Sequence, residues 1–136
     1  MIIADTSGLL AFFNRTEPLH AAVREIVADA ADPLVVSPYV IAEIDHLVAT
    51  RIGVNAEVRI LRELSGGAYL LPGLGPEDLA RTADVVTKYR DLGIGVADAS
   101  LVVLAERYAT RTILTLDHRH FGVLRPLQGG RFTLLP

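Results

Sequence analysis

Short apolar runs alternate with helically periodic stretches along the whole chain. The runs MIIA (1–4), PLVVS (33–37), AYLLP (68–72), RTILTL (111–116) and RFTLLP (131–136) predict strands. Between the first two, Leu19, Val23, Ile26, Val27 and Ala30 recur at helical spacing and predict a helix over 17–31. Ser37 followed by Pro38 signals a cap and a first helical residue, so a helix is expected over 38–51. A further helix over 55–65 is closed by Gly66. Two more are expected, over 76–93 and 98–109. Strands separated by helices imply a parallel sheet covered on both faces. Ligands of such sheets bind beyond the carboxyl ends of the strands.

That rule directs attention to the acids at the strand ends. Asp5 follows the first strand and Asp117 follows TILTL, so both are expected at one edge of the sheet, converging in space. Asp98 heads a stripe shared with Leu101, Val102, Ala105 and Ala109, and a helix N-terminus favours its ionised form. Glu43 borders the apolar face made by Val40, Ile41, Ile44, Leu47 and Val48 on one side, and Asp45 borders it on the other. Helical geometry does not choose between these two. Each acid also has an ordinary explanation. Asp5 and Asp98 are capping residues, Asp117 suits an Asx-turn, and Glu43 suits a solvated flank.

Composition narrows the chemistry. The 136 residues fit one domain, and 51% hydrophobic with 21% charged residues describes a folded chain. Cysteine is absent, which removes disulfides, thiolate catalysis and Cys-based zinc sites. Asp5 interrupts the apolar N-terminus and no basic segment precedes it, so neither a signal peptide nor a membrane span is expected and the location is cytoplasmic. The net charge of −3 is not that of a protein gripping nucleic acid by bulk charge. The charge is uneven, however. Segment 105–131 carries Arg107, Arg111, Arg119, Arg125 and Arg131 with His118 and His120, and is a candidate phosphate-contacting rim beside an acidic centre. Clustered carboxylates repel unless a cation is present, and hard oxygen ligands suit Mg²⁺, with Mn²⁺ as a substitute, over Zn²⁺. Such sites act on phosphates.

Several phosphate chemistries fail at once. The chain has no P-loop, no G-x-G-x-x-G after the first strand and no G-x-S-x-G elbow. A haloacid-dehalogenase-like phosphatase needs a second Asp where Ser7 stands, and Lys88, the lone lysine, lies in a mid-chain helix and not late in the sheet. What remains is Asp5 in ADTS, Glu43 in SPYVIAEI, Asp98 in GVADASLVVLA and Asp117 in TILTLDHRHF. This ordered set resembles the PIN-domain ribonucleases and, within them, the VapC-type toxins of bacterial VapBC toxin–antitoxin pairs, over essentially the whole chain.

The resemblance implies a single PIN domain over 1–136, built as a three-layer α/β/α sandwich on a parallel five-stranded sheet. It implies that Asp5, Glu43, Asp98 and Asp117 hold Mg²⁺, and that Ser7, or its neighbour Thr6, supports the metal site. A metal-activated water would then cut structured RNA, either tRNA or ribosomal RNA, leaving a 5′-phosphate and a 3′-hydroxyl. Candidate RNA contacts are Arg107, Arg111, Arg119, His118 and His120. A homodimer neutralised by a cognate VapB-type antitoxin is expected as well, with helices 38–50 and 54–65 as candidate contact surfaces. A module that binds RNA or protein without cutting, its acids serving only as caps, is the competing expectation.

Overall fold

A computed structural model describes residues Met1–Pro136. Five parallel strands, β1 (Ile3–Ala4), β2 (Leu34–Val36), β3 (Tyr69–Leu70), β4 (Thr112–Leu114) and β5 (Thr133–Leu135), pair in the order β3-β2-β1-β4-β5. Between β1 and β2 lie helices α1 (Thr6–Phe13) and α2 (His20–Asp29). α3 (Pro38–Arg51) and α4 (Val54–Ser65) join β2 to β3. α5 (Pro76–Lys88) and α6 (Val96–Arg107) join β3 to β4, and the short α7 (His118–Phe121) leads towards β5. From β1 the chain steps outward through β2 to β3, then returns to place β4 on the other side of β1. The strand order therefore reverses between β1 and β4, where open α/β sheets form their crevice. The right-handed rule for parallel crossovers assigns the helices joining β1 to β3 and those joining β3 to β4 to opposite faces of the sheet, the three layers expected, and α3 and α6 also touch each other.

All five expected strands form, each trimmed to two or three paired residues. The interior is aliphatic. Ile3, Val35, Val36, Ile113 and Leu114 are inaccessible to solvent, and so are most residues of α6 from Ala99 to Ala105. Packed on all sides, α6 has no polar face, the composition of a central helix and not of a surface one. It begins at Val96, so Asp98 stands in its first turn and is not its opening residue.

Ala109 lies beyond the end of α6, not on its stripe. The helix closes by hydrogen bonds from Ala109 N to Glu106 O (3.1 Å) and from Thr110 N to Ala105 O (2.9 Å), a Schellman arrangement. The arrangement puts Ala109 at φ +50°, a left-handed conformation that strains an L side chain. Ala109 is exposed, so Ala109→Gly is expected to raise stability by about 1 kcal/mol, read as a shift of the urea midpoint at unchanged slope.

Candidate metal centre

Beyond the carboxyl ends of β1 and β4 opens a cleft of about 370 Å³, lined by Asp5, Thr6, Ser7, Glu43, Asp98, Asp117 and His120 among others. Four separate elements deliver its acids. Asp5 stands between β1 and α1, Glu43 two turns into α3, Asp98 in the first turn of α6, and Asp117 just before α7. All four acids expected from the sequence thus line one cavity. Of the pair that helical geometry left open, Glu43 faces the cleft. Asp45 lies against Glu57 of α4 and raises that carboxyl above its ordinary value, chiefly through a shared hydrogen bond.

Asp5 is 4% exposed, and although it precedes α1 its side chain caps nothing. Two hydroxyls converge instead on its Oδ2. Ser7 Oγ donates at 2.8 Å and Thr115 Oγ1 at 2.7 Å. Each hydroxyl in turn accepts a backbone proton from the segment after β4, Ser7 from Leu116 N (2.9 Å) and Thr115 from Asp117 N (2.9 Å). The β1 and β4 ends are thereby tied through one carboxylate oxygen. Asp5 Oδ1 keeps no protein partner and is left to the cleft. Ser7 is the hydroxyl built into this network, whereas Thr6 Oγ1 is buried without a partner.

Thr115, fully buried, is a member of the site that motif reasoning missed. A polar residue inside the aliphatic run TILTL was the available signal. Thr115→Val keeps the shape and removes both bonds. Metal affinity is expected to fall roughly tenfold, the scale of losing an outer-shell partner, as read by calorimetric Mn²⁺ titration.

Opposite this network, His120 Nδ1 lies 3.1 Å from Asp98 Oδ2 and 2.9 Å from Asp117 Oδ2. Asp117 also caps α7, its Oδ1 accepting from His120 N at 3.0 Å, so the turn expected at Asp117 and a place in the cleft coexist. His120, expected as an RNA contact, instead stands among the acids. The ligand-type atoms of Asp98, Asp117 and His120 all lie within 4.8 Å of one another, close enough to share one ion. The Asp98 carboxyl is pushed up to about 6. Burial is the first cause, followed by the charge of Asp5. Asp117 and Glu43 raise it further, and His120 opposes them. Buried and faced by other acids, the Asp98 carboxyl gives up its proton less readily than usual, in keeping with a cluster short of positive charge. The donor set, carboxylate oxygens with one imidazole nitrogen, fits a hard divalent cation.

The basic segment divides. Arg107 is engaged with Asp78 Oδ2 (2.7 Å) and Gly73 O (2.8 Å), and Arg111 with Gly129 O (2.8 Å) and Gln128 O (3.2 Å). Neither lines the cleft, because α6 runs away from it and β4 starts at the opposite edge of the sheet. Arg125 is spent on the carbonyls of Gly122, Val123 and Leu124. His118 and Arg119 on α7 are exposed, and their side chains make no hydrogen bond or ion pair.

A five-stranded parallel sheet with an acidic cleft at its switch point is the PIN arrangement, and the PIN domain model matches residues 2–124. The chain belongs to the PIN-domain family, in its VapC-type branch. It is 61% identical over 135 residues to Ribonuclease VapC26 of Mycobacterium tuberculosis, covering 99% of this chain and 100% of that one. Its fold is similar to that of Mycobacterium tuberculosis VapC20, a sarcin–ricin-loop-cleaving toxin (TM-score 0.78, 16% identity, 86% of this chain and 90% of that one). It is similar also to VapBC2 from Rickettsia felis, solved bound to a DNA fragment from their promoter (TM-score 0.72, 16% identity, 100% of both chains).

Proposed function

We propose that this chain is a Mg²⁺-dependent endoribonuclease and the toxin of a type II toxin–antitoxin pair, acting in the cytoplasm. The convergence of Asp5, Glu43, Asp98 and Asp117 from four elements into one cleft carries the reading. Caps have no reason to meet, and Asp5, which caps nothing, does not fit the view that these acids are structural. Asp5 and Asp98, with Asp117 and Glu43, would hold the metal. Bound there, Mg²⁺ or Mn²⁺ supplies charge neutralisation at a phosphodiester and acidifies water for in-line attack.

The protein's own share is orientation. The hydroxyls of Ser7 and Thr115 fix one oxygen of Asp5 and leave the other available. His120 bridges Asp98 and Asp117 through its Nδ1. Arg119 and His118, unengaged beside the cleft, are placed to contact flanking phosphates, so the phosphate-binding role falls to α7 and not to Arg107 or Arg111. The substrate class is structured RNA, tRNA or an rRNA loop.

The curated relative is named a ribonuclease, and one structural neighbour is a toxin–antitoxin complex from Klebsiella pneumoniae (TM-score 0.69, 14% identity, 91% of this chain and 92% of that one). Both support a VapB-type antitoxin as partner, and the toxin itself is proposed to be a homodimer. No helix is long and apolar enough to cross a membrane. The purified chain is expected to cut structured RNA with Mg²⁺ and leave 5′-phosphate ends, and to stop on chelation or with Asp5→Asn. Cleavage that persists in chelator at the wild-type rate would remove the metal from the mechanism.

A further inference from the structure

Two fully buried serines, Ser37 and Ser100, meet in the core between α3 and α6. Their hydroxyl oxygens are 2.8 Å apart. Ser100 Oγ donates its proton to Ala97 O at 2.6 Å, so the proton between the two serines must come from Ser37. Ser37 Oγ itself accepts from Tyr39 N at 3.2 Å. One directed chain of hydrogen bonds therefore runs from the first turn of α3, through both hydroxyls, into the first turn of α6. Every proton on it is used once.

Both ends of this chain lead to the cleft. Ser37 caps the helix that carries Glu43, and Ser100 is two residues from Asp98 on the other helix. The surrounding core, including Val36, Val40, Ile44 and Leu101, is aliphatic, and Ala would fill either serine site without a desolvation cost. A paired polar bridge in a dry interior sets geometry more than it adds stability.

We infer that Ser37 and Ser100 are positioning residues for the metal centre: their hydrogen bond sets the separation of α3 and α6, and so the spacing of Glu43 from Asp98. The inference rests on the metal-site reading above. It touches neither the metal nor the RNA directly, and it predicts an effect on metal affinity apart from stability.

The test is Mn²⁺ binding to the full chain, followed by electron paramagnetic resonance, beside urea melts and the Mg²⁺ dependence of cleavage. Ser100→Ala is expected to weaken Mn²⁺ binding roughly tenfold, the scale of an outer-shell loss, with the cleavage rate at saturating metal retained. Ser37→Thr, which keeps a hydroxyl and a cap, should bind as the wild type does. Val23→Ala opens a cavity in the core on α2, which packs on α1, and should lower stability without moving the affinity. Equal affinity in the wild type and Ser100→Ala, or an affinity that falls equally in Val23→Ala, overturns the inference. A wild-type chain that binds no Mn²⁺ overturns the metal reading itself, and the positioning role with it.

Discussion

Asp98→Asn is expected to move activity and stability in opposite directions. Metal-dependent cleavage should fall by roughly a hundredfold or more, because a ligand is lost from the centre of the cluster. The metal-free protein, by contrast, should become more stable at pH 7.5. Burial and the charges of Asp5, Asp117 and Glu43 push the Asp98 carboxyl up to about 6, with His120 opposing. Unfolded, the same carboxyl titrates near 3.9. Between these values the folded chain binds more protons than the unfolded one, so stability falls as pH rises through the window. Above pH 6 the whole penalty is present, and below about 4 it is gone. Asn carries no charge and escapes it, a gain on the order of 2 kcal/mol at pH 7.5 that vanishes below about pH 4. Urea melts of both proteins across this range would show it. Saturating Mg²⁺ reverses the order, since only the wild type gains from binding the ion. Identical pH profiles would mean that the acids do not strain one another, and the case for a cation-seeking cleft would lose its electrostatic support.

That strain was partly visible in the linear chain. Asp5 and Asp117 could be placed because each ends an apolar run, and a parallel sheet brings the ends of its strands together whatever lies between them. α3 was legible to the residue, since Ser37 and Pro38 mark its start chemically. α1 and α7 were not. α1 begins directly after β1, and its Thr6–Phe13 run shows no distinct polar face. α7 is a single turn held by Asp117. Thr115 and the bridge of Ser37 to Ser100 were hidden for another reason. A buried hydroxyl has meaning only through its partner, and these partners lie 110 and 63 positions away.

The basic segment 105–131 misled in the opposite sense. Proximity in sequence suggested a rim, yet Arg107 is nine residues along α6 from Asp98, about 14 Å down the helix axis. Arg111 then enters β4 at its far end. Only the part of the segment that follows β4 returns to the cleft, and there His118 and Arg119 are exposed while His120 turns inward to the acids.

The same close join of α1 to β4 makes Gly8→Ala the most damaging single-methyl change expected in the chain. In an unconstrained helix the substitution would stabilise by about 1 kcal/mol, since Ala is the better helix former and restricts the unfolded chain. Here a Cβ on residue 8 would lie 2.3 Å from Leu114 O and 2.8 Å from Leu114 Cγ. The carbonyl is backbone in the interior of the sheet, and it also accepts Asp5 N at 3.0 Å, so it cannot swing aside. The first turn of α1 must lift off β4 instead. Overpacking of this kind reverses the helix-propensity gain and costs about 3 kcal/mol or more. The damage is also local. Lifting that turn pulls Ser7 from Leu116 N and Asp5 from Thr115, the bonds that hold one metal-facing carboxylate in place. Gly8→Ala should therefore lose metal affinity even at temperatures where it remains folded. A lesion of equal cost in α2, such as Val23→Ala, should not. Were Gly8→Ala neutral or stabilising in urea melts, α1 could not pack on β4 as closely as this. The first turn of α1 would then have room that the geometry of Asp5 denies it.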